Sequence, residues 1–196
     1  MRLIAATRNE HKLRELSQIL TNAELIPLAP EVELPPEDGD TFKANALIKA
    51  RAIHEASGEA ALADDSGIAA SALGGRPGVR SARFAGENAT DEENLDLLIS
   101  ELRDSDDRHV AYVCALAHIA ADGTETVVEA ECEGTLILQP RGTRGFGYDP
   151  AFVPVDTGPD DQRTMAELSD SEKHAISHRG RAARKLADEL GLGAAA

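Results

Sequence analysis

The sequence predicts a single α/β domain, residues 1–196, built on a mixed sheet with a cleft, and three observations carry that expectation. Short apolar runs alternate with stripes of helical periodicity through the first third of the chain, as strands and helices in turn would require. Two longer apolar segments flank Asp122-Gly123, the dipeptide most typical of a tight hairpin, which adds antiparallel strands to the sheet. With 42% hydrophobic residues, the 196-residue chain can fill one core, or two lobes sharing a sheet, but falls short of two independent domains.

The elements follow in order. Leu3 to Ala6 reads as a strand, Thr7-Arg8-Asn9 as a tight loop, and Leu13, Leu16, Ile19 and Leu20 as one helix face. Pro27 to Pro36 is a proline-rich loop. Thr41 precedes a second stripe, Phe42, Ala46, Leu47, Ala50 and Ile53, that ends near Ser57-Gly58. Ala60 to Ala63 reads as a brief buried strand running into Asp64-Asp65-Ser66-Gly67. After the glycine-rich loop Gly74 to Gly78, the series Thr90-Asp91-Glu92-Glu93 has capping-box spacing and leads into Leu95, Leu98, Ile99 and Leu102. Val110 to Ala121 and Glu125 to Glu133 are the hairpin strands. Ser169 to Glu172 repeats the capping box and opens a helical stretch to Leu190, with Gly180 as a candidate interruption and Gly191 as its stop. Apart from the alanine tail there is no repeat or low-complexity segment.

Composition narrows the function. A net charge of −15, from 35 acidic and 20 basic residues, opposes approach to nucleic acid or an anionic membrane, so neither is an expected partner. The longest apolar runs fall well short of the roughly 18 residues that a membrane span needs. No apolar signal region follows Met1, so a cytoplasmic location is expected. Cys114 and Cys132 lack metal-site or redox spacing and read as buried free thiols.

Four segments could carry chemistry. Thr7-Arg8-Asn9-Glu10-His11-Lys12 joins a strand to a helix, where unpaired N–H groups and the Lys12 charge suit a phosphate. Taken alone, an ordinary N-cap at Asn9 and a solvated lysine explain it as well. Asp64-Asp65-Ser66-Gly67 puts two carboxylates at the expected end of a strand, where they could hold a hard cation and accept a proton, or simply make a turn. Glu37, Asp38 and Asp40 would add to such a site if their loop folds inward. Gly142-Thr143-Arg144-Gly145-Phe146-Gly147-Tyr148-Asp149-Pro150 is too glycine-rich for a strand and offers the ring faces of Phe146 and Tyr148 to a planar base, or an aromatic plug to a surface loop. Lys173, His178 and Arg179 lie in the last helical region, where cations facing a cleft would hold phosphates and those facing out would be solvated. His174 and His178 are four apart but have neither the following glutamate nor the third ligand of a zinc site.

Together these segments resemble the inosine triphosphate pyrophosphatase family nearly end to end. The motifs that carry the resemblance are LADDSG at Leu62 to Gly67, LGGRPGVRSARF at Leu73 to Phe84, GFGYDP at Gly145 to Pro150, and EKHAISHRGRA at Glu172 to Ala182. The resemblance implies an elongated mixed sheet flanked by helices, two lobes with a central cleft, a homodimer, and Mg²⁺. It makes Asp65 the catalytic acceptor and a metal ligand, with Glu37 as a second ligand. It assigns the substrate to Thr7, Arg8, Asn9, Glu10, His11, Lys12, Ser66, Phe146, Gly147, Tyr148, Asp149, Lys173, His178 and Arg179. Two positions depart from the family pattern: Arg8 stands where glycine is common, and Ala44 stands where glutamate often precedes Asn45.

The implied reaction is hydrolysis of triphosphates of deaminated purines, such as ITP, dITP and XTP, to the monophosphate and pyrophosphate. A pyrophosphatase for pyrimidine or modified nucleotides and a nucleotide-binding module without turnover are the alternatives. Adjacent Asp64 and Asp65 argue against mere binding, because carboxylates beside a triphosphate are unfavourable unless a cation bridges them.

Overall fold

The computed structural model describes residues 1–192; the alanine tail lies outside them. The strands are β1 (Arg2–Ala5), β2 (Glu24–Pro27), β3 (Ala61–Ala70), β4 (His109–Ile119), β5 (Glu125–Leu136) and β6 (Phe152–Pro154). The helices are α1 (Glu10–Ile19), α2 (Phe42–Ser57), α3 (Asp91–Leu102), α4 (Asp170–Ile176) and α5 (His178–Glu189). The six strands form one sheet in the order β2-β1-β3-β4-β5-β6. It is mixed: β1 pairs in parallel with β2 and β3, whereas β5 and β6 are antiparallel.

The chain divides into two compact units. The first comprises Met1–Asp65, Cys114–Ala130 and the residues from Arg179 on; the second comprises Ser66–Val113 and Glu131–His178. In the first unit, side-chain alternation along β3 and β4 sorts residues onto two faces. Leu62, Cys114 and Leu116 pack with Leu16 and Leu20 of α1 and Ala182, Ala183 and Leu186 of α5. Ala61, Ala63, Ala115 and Ala117 pack instead with Ala46, Ala50 and Ile53 of α2. The core of the second unit gathers Ile68 of β3, the apolar face of α3, Val110 and Tyr112 of β4, and Phe152 of β6.

Local signals account for the helix ends. Asn9 caps α1 by accepting from the backbone N–H groups of His11 and Lys12, Thr41 caps α2, which stops at Gly58 in the left-handed region at φ 69°, and the expected capping boxes open α3 and α4.

Four expectations need correction. β3 does not end before Asp64 but continues through Asp65, Ser66 and Gly67 to Ala70, because the second half of the strand buries Ile68 and Ala70 in a core of its own. Glu24–Pro27 is strand β2, since its backbone extends the parallel ladder of β1 despite the proline at its end. The short strand β6 lies in a stretch not read as a strand from sequence; three residues give too little periodicity. The last helical stretch breaks at Ser177, whose ψ of 153° is extended, while Gly180 continues within α5.

Candidate active site

Alternation along β3 decides the environment of the two aspartates, both in the first unit. Asp64 shares the parity of Leu62 and emerges on the α1 and α5 side. There Lys12 Nζ lies 2.5 Å from Oδ1, and Arg179 Nε donates to Oδ2 at 2.9 Å. The Cys114 thiol also donates to Oδ2, at 3.2 Å. Arg179 is 1% exposed, and its Nη1 donates to Glu15 Oε2 at 2.5 Å. Lys12, Asp64, Arg179 and Glu15 thus form a chain of alternating charges, and neutrality is what makes such burial tolerable. Burial opposes ionisation of Asp64, but the Arg179 guanidinium and the Lys12 ammonium outweigh it and hold the carboxyl well below the usual carboxylate range. Burial, reinforced by Asp64, pushes the Cys114 thiol up, so it serves as a neutral donor.

Asp65 has the parity of Ala61 and Ala63 and emerges on the α2 side. Lys49 of α2, 5% exposed, places its ammonium 3.6 Å from Asp65 Oδ1, against Glu37 Oε1, and on the Asp64 carbonyl at 2.7 Å. The loop before α2 has therefore folded inward at Glu37, while Asp38 and Asp40 stay exposed. For Asp65, burial raises the pKa, with Glu37 adding to it, and this prevails over the opposing pull of Lys49 and Lys12. Two neighbours in sequence are thus driven in opposite directions, one locked as an anion and one poised to take a proton. Asp65 Oδ2 is buried without a hydrogen-bond partner.

The second unit brings together a different set. Asp149, 3% exposed, accepts from Tyr112 Oη at 3.1 Å, from the Phe146 backbone N–H at 3.0 Å and from Lys173 Nζ at 2.7 Å. Lys173 Nζ also lies 5.2 Å from the centroid of the Phe146 ring, within cation–π range. His178 stacks on Tyr112 with centroids 4.5 Å apart and planes 8° from parallel. Gly145, at φ 73°, could not carry a side chain: a Cβ there would lie 2.0 Å from Asp149 Oδ2.

The sequence around these groups matches a known family model nearly end to end: the Ham1 family model covers residues 3–189. The chain belongs to the Ham1 family. A dITP/XTP pyrophosphatase of Streptomyces avermitilis is 47% identical over 193 residues, covering 94% of each chain. One from Geobacter sulfurreducens is 46% identical over 199 residues, covering 97% of this chain and 96% of that one. Among solved structures, a HAM1 protein from Coxiella burnetii superimposes with a TM-score of 0.88 at 38% identity, over 98% of this chain and 100% of the other. A nucleoside-triphosphatase / dITP/XTP pyrophosphatase from Mycobacterium abscessus superimposes with a TM-score of 0.75 at 46% identity, over 95% and 98% of the two chains.

In this Ham1 chain the expected site residues fall into the two groups just described. Thr7 to Lys12, Glu37, Asp65 and Arg179 belong to the first unit, and Ser66, Phe146, Gly147, Tyr148, Asp149, Lys173 and His178 to the second. Asn9 Oδ1 takes up the N–H groups of His11 and Lys12, so those two donors are occupied by the cap itself. Glu10 and His11 are exposed. Arg8 donates to the carbonyls of Leu28, Ala29, Pro30 and Val32, which directs its guanidinium into the following loop. Gly147 donates its N–H to Asp91 at 2.8 Å.

Two expectations change on placement. Tyr148 does not present a ring face: it is 5% exposed in the core, and its hydroxyl donates to the Ser81 carbonyl at 2.7 Å. Asp64 and Asp65 do not act as one pair, since the extended strand puts them on opposite faces.

Sequence reading missed Glu15, Asn45, Lys49 and Tyr112. A signal existed for two of them: Asn45 and Lys49 fall within the stripe of Phe42, Ala46, Ala50 and Ile53 on α2, where polar residues are buried and need partners. The donor set fits a hard divalent cation. Asp65 Oδ2 is uncommitted, Glu37 and Asp65 approach the same ammonium, and oxygen is the ligand that Mg²⁺ prefers. Among the described residues no three His, Cys, Asp or Glu side chains form a cage. One or two carboxylates, completed by substrate phosphates and water, is the usual magnesium arrangement.

Proposed function

We propose that the protein hydrolyses triphosphates of deaminated purines, ITP, dITP and XTP, to the monophosphate and pyrophosphate. The observation that carries this reading is Asp65, a buried carboxylate raised above its usual range with one oxygen uncommitted, in a chain 47% identical to proteins named dITP/XTP pyrophosphatase. Asp65 and Glu37 would hold Mg²⁺, which would offset triphosphate charge and acidify water at that point. Asp65 accepts the proton of the attacking water, for which a raised pKa is the right adjustment. Lys12 is the partly exposed end of the buried charge chain and meets phosphate oxygens. Arg179, itself balanced by Glu15, and Lys12 keep Asp64 ionised, so that Lys12 retains an anchor.

Base selection rests on the second unit. Phe146 offers the partly exposed ring, and Lys173, held by Asp149, supplies a fixed donor for the O6 acceptor of a 6-keto purine, which adenine lacks, while guanine is rejected through its 2-amino group. The same reading carries a homodimer and a cytoplasmic location, the first checked by light scattering and the second by fractionation. No helix among the described residues is long and apolar enough to cross a membrane.

Phosphorus NMR of the products with Mg²⁺ tests the reaction. Monophosphate and pyrophosphate are expected, and orthophosphate as the sole inorganic product overturns the assignment. On the same preparation, kcat/KM for ITP or XTP should exceed that for ATP and GTP by at least about a hundredfold, the scale that unpaired buried polar groups supply. Equal efficiency on all four removes the base-reading role.

A further inference from the structure

Asn45 has no role in the chemistry above, yet it is wholly buried in the first turn of α2, at 0% exposure. Its two polar ends face two different segments. Oδ1 accepts the Gly39 N–H at 2.8 Å, and Gly39 lies two residues beyond Glu37 in the inward-folded loop. The approach is too close for any side chain at position 39: a Cβ there would meet Asn45 Oδ1 at 2.7 Å and Ala44 Cβ at 2.8 Å. The other end lies toward Asp65 and favours its charged form. Asn45 Nδ2 and Asp65 Oδ2 are nevertheless both buried with no completed hydrogen bond. A buried donor and a buried acceptor left open side by side cost free energy unless something satisfies both. One turn further along the same face, Lys49 bridges Glu37 and Asp65.

We propose that Asn45 is a positioning residue for the divalent cation: its carboxamide oxygen pins the Glu37 loop through Gly39, and its amide group sets the open oxygen of Asp65. The two carboxylates come from segments more than twenty residues apart in sequence; Lys49 lies between them as a charge, and Asn45 holds the backbone of the Glu37 loop at Gly39. The inference rests on the assignment of the cation to Asp65 and Glu37.

The test is Mn²⁺ uptake by the full-length protein without nucleotide, read from loss of the free-ion EPR signal. Asn45→Ala removes both contacts, and Gly39→Ala displaces Asn45 Oδ1 from the loop side while leaving Asn45 in place. Both should bind Mn²⁺ at least about tenfold more weakly than the parent, the loss typical of groups that orient metal ligands. In turnover, the Mg²⁺ concentration for half-maximal rate should rise by a similar factor, with KM for ITP at saturating Mg²⁺ within about twofold of the parent. A merely structural role would lower the unfolding temperature without moving metal affinity per folded molecule. Mn²⁺ affinity within twofold of the parent in both variants overturns the proposal, as does a parent that takes up no Mn²⁺. Pyrophosphate release by the parent judges the hydrolase reading separately, because metal uptake requires no turnover.

Discussion

Asp64 and Asp65 are chemically identical neighbours whose side chains have opposite tasks, and parallel Asp→Asn substitutions should separate them. Asp65→Asn removes a carboxylate whose ionisation burial already opposes, so the unfolding temperature should change little. Its kcat should drop by at least about a hundredfold, the scale of a lost general base. Asp64→Asn instead strips a full anion from between Lys12 and Arg179. Two cations then share Glu15 as their remaining anion, and breaking a buried ion pair costs about 3–5 kcal/mol, so this variant should melt far lower. Thermal unfolding and kcat on the same samples settle the pair; a stable, active Asp64→Asn protein would show that the charge chain around Arg179 is dispensable.

The loop from Gly145 to Asp149 shows how an element makes a site out of backbone geometry. Gly145 and Gly147 both have positive φ, 73° and 62°, but only at Gly145 would a Cβ collide, with Asp149 Oδ2. Gly147→Ala should therefore cost only the left-handed strain, about 1–2 kcal/mol. Gly145→Ala adds displacement of a carboxylate that holds Lys173, Tyr112 and the Phe146 N–H. We expect kcat/KM for ITP to fall at least about tenfold further in Gly145→Ala than in Gly147→Ala, equivalent to roughly 1.4 kcal/mol. Equal losses in the two would mean that Asp149 does not organise the element.

For the molecule as a whole, stability in mild acid should depend on His118. Its ring is 3% exposed on β4, both nitrogens are buried without a partner, and it borders a depression lined also by Met1, Arg2 and Glu59. Burial lowers its pKa, with Asp122 opposing. The unfolded chain therefore takes up a proton below about pH 6.5, where the folded chain does not. Stability is full above that value and is lost as the pH falls towards the depressed folded pKa. His118→Leu should flatten the decline in unfolding temperature between pH 7 and 5 and, having no open polar nitrogens, should be at least as stable as the parent at pH 7. A decline as steep as the parent's would show that other groups govern acid stability.

What the sequence determined by itself were the features encoded locally. Helix stripes, the caps Asn9, Thr41, Thr90 and Ser169, the Asp122-Gly123 turn and the motif order could all be read, because each depends on residues a few positions apart. The sequence also pointed to Lys12, Glu37 and Arg179 around the two aspartates and to Phe146 and Lys173 around Asp149, but not to Glu15, Asn45, Lys49 or Tyr112. Only tertiary structure decided that β3 runs on through the aspartates, since what extends a strand is the ladder and core on either side of it. From that extension follows the rest. Alternation sends Asp64 to Arg179, more than a hundred residues away, and Asp65 to Lys49 and Asn45. Burial raises both, but at Asp64 the Arg179 and Lys12 charges outweigh it, so their proton affinities move apart, and no local pattern encodes that, because the partners and the loss of solvent arrive only when distant segments pack.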